Sequence, residues 1–257
     1  MIRDGELIYL YNDEKTTFLV TYQKGQSFST HKGNIVFPEG LEFGDCILSN
    51  TNQAFYVLKP TLSDIMMKVK RKTTIVYPKE AGMLILELSV CSGANVIEVG
   101  SGSGAFTILL SSMVGEEGRV YSFERREDHL EIAKKNFKRF ALFDNVEFIQ
   151  KDPANEGGFG LTDIDAVFVD VPEPWTIIES AWNALRGGGH IATLSPNIEQ
   201  VQLTVEKMES TGFMRIRCME VFSRGIRVKK NMTRPFDRMI GHTAYLVFAE
   251  KVKKAGI

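Results

Sequence analysis

Across residues 5–58 apolar and polar positions alternate in short runs broken by turn signals. The runs are 7–11, 17–22, 34–37, 46–49 and 54–58, and the breaks fall at 12–13, 23–26, 38–40 and 50–53. A period of two with no helical period predicts a small β-rich module over residues 1–62. From Pro60 the pattern changes. Residues 60–67 predict the start of a connecting helix with Thr61 or Ser63 as N-cap, and Pro78 with Glu80 in the first turn begins a helix running to about Val90.

After residue 95 strand and helix patterns alternate. Strands are expected at 95–99, 120–123, 146–150, 166–170 and 190–194, with helices at 106–114, 127–140, up to about 186, and 198–211. The 127–140 helix sets Leu130, Ala133, Lys134, Phe137 and Ala141 on one side. Gly187, Gly188 and Gly189 end the helix that runs to about residue 186, before the 190–194 strand. Residues 213–222 and 243–251 are β-like and read as an antiparallel edge hairpin parted by a basic loop. The expected architecture is a doubly wound, mostly parallel α/β sheet over residues 63–257, preceded by the β-rich module.

The stretch that carries chemistry is the turn after the 95–99 strand. Gly100, Gly102 and Gly104 alternate with Ser101 and Ser103, and Ala105 and Phe106 open the next helix. Strand, glycine turn and helix bring backbone N–H groups and a helix N-terminus to one crevice, where nucleotide-like ligands bind. Gly100-x-Gly102-x-x-Ala105 fits the loose dinucleotide fingerprint, so a nicotinamide dehydrogenase must be weighed. Read from Glu98, the same stretch resembles motif I of class I S-adenosylmethionine (SAM) methyltransferases, in which an acid accepts from the ligand's ammonium group. An acid before the turn suits a sulfonium amino acid better than a pyrophosphate.

Acids then recur at successive strand ends: Glu98, Glu124, Asp152 and Asp170. SAM offers an ammonium, ribose hydroxyls and an adenine amine, all donors to carboxylates. Asp170 precedes Val171-Pro172-Glu173-Pro174-Trp175, whose two prolines fix the backbone that holds it.

Composition changes the picture little, with 44% hydrophobic and 25% charged residues. No apolar run approaches a membrane span and residues 1–15 carry no apolar leader, so a cytoplasmic protein without a membrane partner is expected. Cys46, Cys91 and Cys218 are scattered and the four histidines lack ligand spacing, so buried apolar cysteines and no metal are expected. Charge matters more than its net of −1 suggests. Residues 68–72 hold four basic residues and no acid, and 215–238 hold eight against two. Two basic clusters on an otherwise acidic chain point to a polyanion partner, with Arg227, Lys229 and Lys230 as contacts.

These segments together resemble the tRNA (adenine-N1) methyltransferase family, TrmI. Besides Asp170–Trp175, the segment Phe28-Ser29-Thr30-His31-Lys32-Gly33 is similar to its Phe-His-Thr-His-Lys-Gly. Ile75-Val76-Tyr77-Pro78-Lys79-Glu80 is similar to its Ile-Tyr-Pro-Lys-Asp, and Arg234-Pro235 through Gly241-His242-Thr243 to its C-terminal signature. Ser29 and Glu80 depart from it, replacing a histidine and an aspartate.

The resemblance implies a cofactor site at Ser103, Gly104, Ala105 and Phe106, with Glu124 on the ribose and Asp152 near the cofactor adenine. His129 belongs to that implied site too, although by itself it reads as a helix-surface histidine. Asp170 is implied at the transfer site. Tyr77 faces the target base or cofactor, or is a core tyrosine beside Pro78; Trp175 stacks on a base or caps the sheet. The implied reaction is methylation of N1 of adenine 58 in the tRNA T loop, with archaeal members also acting on adenine 57, by a homotetramer. N1 lies on the Watson–Crick edge, so the base must be flipped out, and a carboxylate accepting from N6 favours the positive charge that develops. A tRNA-binding, catalytically silent subunit is the competing class.

Overall fold

The computed structural model describes residues 1–253, and they form two compact units that part between Lys68 and Val69. The first is a β module with the strands β1 (Leu7–Asp13), β2 (Thr16–Thr21), β3 (Ser27–Thr30), β4 (Gly33–Val36), β5 (Cys46–Leu48) and β6 (Ala54–Leu58). Four form an antiparallel sheet in the order β2-β1-β6-β5, while β3 and β4 pair as a separate hairpin. Period-two alternation puts Ile8 and Leu10 of β1 and Phe55 and Val57 of β6 into a shared core with Ile35 and Phe37. The β3 strand escapes the sequence pattern because Ser-Phe-Ser-Thr has one apolar residue. The hairpin is closed by Thr30, whose hydroxyl donates to the Gly33 carbonyl at 2.9 Å. Helix α1 (Leu62–Lys68) begins with a reciprocal cap in which the Asp64 N–H donates to Thr61 Oγ1 and the Thr61 N–H to Asp64 Oδ2.

The second unit opens with α2 (Pro78–Glu87), β7 (Asn95–Val99), α3 (Ala105–Val114), β8 (Arg119–Glu124), α4 (Glu127–Phe140) and β9 (Val146–Gln150). It continues with β10 (Ile164–Val169), α5 (Ile178–Ala184), β11 (Leu185–Ser195), α6 (Ile198–Thr211) and β12 (Met214–Glu220). Two short strands, β13 (Ile226–Arg227) and β14 (Arg234–Pro235), precede β15 (Tyr245–Glu250). The central seven-stranded sheet has the order β12-β15-β11-β10-β7-β8-β9. Its inner strands are apolar on both faces, with Val96, Ile97, Val167, Val169 and Ile191 all sealed from solvent, as parallel strands covered by helices require.

Strand β15 runs antiparallel to both β11 and β12. The two terminal strands therefore pair antiparallel at the sheet edge, joined through the β13–β14 loop rather than a tight turn. The three glycines at 187–189 do not end the helix as expected, because α5 already stops at Ala184. Strand β11 begins at Leu185 and takes them in as a bulge, where its register with β10 jumps between Ile164 and Ala166.

All three cysteines are exposed, contrary to expectation. Cys46 and Cys218 sit on the edge strands β5 and β12 and Cys91 in the turn before β7, where nothing packs over their outer side.

Candidate active site

The chain reverses its direction of travel across the sheet at β7: β8 and β9 extend to one side and β10 and β11 to the other. Ligands of such sheets bind at the carboxyl ends beside this switch point, because the connections diverge there and leave a crevice. The backbone carries the sheet ladder to its rim, with the Gly100 N–H on the Phe123 carbonyl and the Asp170 N–H on the Val99 carbonyl, both 2.8 Å. Above the rim lies a cavity of about 790 Å³, within the range of small-molecule clefts.

The glycine turn forms its floor. Gly100 has φ +97°, and a Cβ there would run into the Asp170 carbonyl oxygen. Gly102 has φ +53°, and its backbone N–H donates to Glu124 Oε2 at 3.2 Å. Only glycine lets the turn lie this close to the strand that carries Asp170. Ser103 lies behind the turn, its carbonyl accepting from Asn136 Nδ2 at 2.8 Å while the same amide reaches the Lys70 carbonyl at 2.9 Å. Sequence reasoning misses Asn136. Periodicity places Lys134 on the packed side of α4, but Lys134 is exposed and Asn136 is buried.

Three of the four strand-end acids line the cavity: Glu124, Asp152 and Asp170. Glu124 is nearly buried and accepts from the N–H groups of Gly102 and, at 3.0 Å, Arg126. Asp152 folds the loop after β9, accepting from the Ala154 N–H at 3.1 Å and Asn155 Nδ2 at 3.0 Å. Burial raises the Asp170 carboxyl to about 7, with the Glu124 charge adding to it. The fourth acid, Glu98, turns under the floor instead. Its Oε2 accepts from Thr107 in the first turn of α3 and from Ser122 of β8, and burial raises its carboxyl to about 8. Glu98 braces the turn from below and bounds the smaller crevice there, not the large cavity.

His129 also lines the cavity and is nearly buried, its Nδ1 3.9 Å from Glu124 Oε2, so the helix-surface reading does not hold. Tyr77 also lines the cavity, as the extended residue just before α2. Glu80 and Thr243, which the sequence marks only as parts of family-like segments, line it too, with Pro196 beyond β11. The cavity does not include Gly104, where a Cβ would press on Ala133 of α4, or Ser103, Ala105 and Phe106, which bound a much smaller crevice. Trp175 sits in a single 3-10 turn, Pro174–Thr176, and is also outside the cavity lining.

None of the residues of the two basic clusters lines the cavity, whereas Arg125, Arg126 and Lys151 do. Lys229 and Lys230 are exposed, and Arg227 lays its guanidinium over the Phe236 ring at 5.5 Å. In the other cluster Lys72 is ion-paired with Asp128, holding that carboxyl well below the usual range, and Lys68 donates to Thr17. Fewer of its charges face a partner than the sequence suggests. Among the described residues no group of three His, Cys, Asp or Glu side chains could hold a metal, and no helix is long and apolar enough to cross a membrane.

The residues present fit SAM. The glycine floor is a cradle that side chains would fill, and Glu124 offers a carboxylate beside it for ribose hydroxyls. Glu124→Ala is expected to lose a charge-assisted bond of roughly 1.5–3 kcal/mol, weakening SAM binding about ten- to a hundredfold. Calorimetric titration measures this, and an unchanged affinity would remove Glu124 from the site.

The family model described as "tRNA methyltransferase complex GCD14 subunit" matches residues 53–232. A tRNA (adenine(57)-N(1)/adenine(58)-N(1))-methyltransferase TrmI of Methanocaldococcus jannaschii is 33% identical, the match spanning 92% of each chain. The crystal structure of a tRNA (m1A58) methyltransferase TrmI from Aquifex aeolicus superposes with a TM-score of 0.82 at 34% identity, covering 98% of this chain and 99% of that one. A structure from Thermotoga maritima described as a SAM-dependent O-methyltransferase superposes with a TM-score of 0.90 at 36% identity, covering 100% and 96%.

Proposed function

Since the chain belongs to the GCD14 family of tRNA methyltransferase complex subunits, we propose that it transfers the SAM methyl group to N1 of adenine 58 in the tRNA T loop. The observation that carries this reading is Asp170, held against the glycine floor at the switch point and lining a cavity of about 790 Å³. SAM supplies the electrophilic methyl group on a sulfonium. The chain supplies position and charge. Glu124 and the turn N–H groups hold the ribose side of the ligand, with His129 and Asp152 completing that end.

The target base enters from the Tyr77 wall, flipped out so that N1 is free. N1 carries no proton, so no general base is needed. It becomes cationic as the methyl arrives, while N6 keeps its hydrogens. Asp170 accepts from N6, which fixes the base in line and favours the developing positive charge. Its raised pKa means that the ionised form needed for this grows as pH rises through about 7. A cationic ligand alongside draws the value down again. Trp175 is assigned to the base-binding rim. The enzyme is read as a cytoplasmic homotetramer, which places several copies of each basic loop around one tRNA.

Arg227, Lys229 and Lys230 are assigned to phosphate binding on that loop. Replacing all three with Ala should flatten the salt dependence of tRNA binding by roughly 0.7–0.9 in log–log slope for each phosphate no longer neutralised, weakening all tRNAs alike. Affinities over a salt series check this; identical slopes for wild type and variant would make the loop an ordinary solvated face. The proposed activity itself is tested by passage of tritium from methyl-labelled SAM into unmodified tRNA. Incorporation is expected, whereas retention of NADH in place of SAM would favour the dehydrogenase reading.

A further inference from the structure

Glu80 is almost completely buried, yet it lines the cavity and leaves one carboxylate oxygen without a partner. At the third position of α2, a glutamate ordinarily closes back on the N–H at the helix start. Here no side chain caps the helix. The carboxylate turns instead to Lys79 and Thr243, both of which donate to Oε1. Lys79 also donates to the Val221 carbonyl and Thr243 Oγ1, each at 2.6 Å, so the ammonium is spent on this clasp and cancels the Glu80 charge locally. Oε2 has no hydrogen-bond partner among the described residues. A buried acceptor left bare is costly; Oε2 is shut off from water beside the cavity, so the donor that satisfies it comes with a ligand that shifts the wall around it.

The sheet order says which ligand. The SAM-facing groups sit on the connections after β7, β8 and β9. Thr243, which fixes Glu80, lies just before β15, and β15 and β11 stand on the far side of β10 from β7. Glu80 therefore faces the half of the cavity beyond Asp170, with Tyr77 on its own helix start and Pro196 after β11. That half belongs to the target nucleotide. An adenosine inside an RNA chain offers only three donor hydrogens, two on N6 and one on the ribose 2′-hydroxyl.

We propose that Glu80 is a substrate-binding residue, its Oε2 accepting from the N6 amine or the 2′-hydroxyl of the target adenosine opposite Asp170. The inference rests on the methyltransferase reading above and assigns the far wall of the same cavity. The charge balance with Lys79 explains how an acid tolerates a polyanionic substrate nearby: the pair presents a neutral clasp with one oriented acceptor.

The test is steady-state methylation of unmodified tRNA at saturating SAM by the full-length wild type and Glu80→Gln. The variant is expected to raise KM for tRNA about tenfold or more, with a smaller change in kcat and SAM affinity unchanged in calorimetry. Two altered tRNAs then identify the donor. One carries 2′-deoxyadenosine at the target, the other a purine ribonucleoside lacking N6. Removing the hydrogen that Glu80 holds raises KM more in wild type than in Glu80→Gln, and the difference isolates the Glu80 share, since any Asp170 bond to N6 is lost from both enzymes alike. A purely structural clasp gives the opposite result: melting temperature and SAM affinity fall together and neither altered tRNA couples to residue 80, which overturns the proposal. Should Glu80→Gln fail to fold, Glu80→Asp keeps the charge on a shorter stem and the same coupling is measured there. A wild type that methylates tRNA with no coupling overturns this inference alone; a wild type that methylates no tRNA overturns the reading beneath it.

Discussion

Asp170→Asn is expected to fold, bind SAM and transfer methyl groups at least about a hundredfold more slowly than wild type. The amide keeps the shape of the side chain and one acceptor oxygen, so the β10 strand end and its packing against Gly100 survive. It loses the negative charge beside N1, which matters only as the base becomes cationic. The loss should therefore fall on kcat rather than on either affinity. Wild-type kcat/KM for SAM should rise with pH through the neutral range, because the carboxyl of the ligand-free enzyme is raised to about 7 and only its ionised form serves; the variant should lose this dependence. Single-turnover rates at saturating SAM measure the loss of transfer, and kcat/KM across pH 6–9 measures the pH dependence. A variant that transfers at the wild-type rate removes Asp170 from the chemistry.

Gly100→Ala should be the most damaging single substitution in the turn. A methyl group at φ +97° is strained in itself, and it points at the Asp170 carbonyl oxygen with the Val171 side chain behind it at 3.5 Å. Neither is the free end of a flexible side chain, so the two strand ends must part. Backbone strain and overpacking together cost roughly 2–5 kcal/mol, a fall in melting temperature of roughly 5–15 °C for a unit of this size. SAM affinity should drop more than about a hundredfold, since the floor moves with the turn. Scanning calorimetry and titration give the two numbers. A variant that melts within a degree of wild type and binds SAM normally would mean the turn and β10 do not abut as described.

The parallel sheet is legible because its strands are apolar on both faces and regularly spaced by amphipathic helices. Glu124, Asp152 and Asp170 are legible for the same reason, since knowing where a strand stops says which rim its next residue occupies. Glu98 shows the limit of that reasoning. It lies one residue before the strand end, and alternation in a strand turns successive side chains to opposite sides. The hydroxyls of Thr107 and Ser122 await it below the floor, and no spacing rule announces them.

Glu80 and Thr243 stand 163 residues apart, so nothing local could reveal their hydrogen bond. From sequence Glu80 reads as an acid favourable at a helix start and as a departure from the family's aspartate, and neither reading reveals the clasp. The Phe28–Gly33 segment is marked by resemblance but not by period, because one phenylalanine in a polar strand leaves too little alternation to detect. The 215–238 region is legible as charge, and its first part as a strand; the fold of the loop beyond β12 is not, since two strands of two residues each give no periodic signal.

The central claim is that this chain methylates N1 of adenine in the tRNA T loop, and product analysis tests it most directly. Unmodified tRNA is incubated with the purified protein and SAM, digested to nucleosides, and the methylated product identified and mapped by mass spectrometry. One 1-methyladenosine at position 58, or at 57 and 58, is the expected result, absent with Asp170→Asn at matched times. A methyl group found on a ribose oxygen, or no methylated nucleoside from a protein that binds both SAM and tRNA, would contradict it.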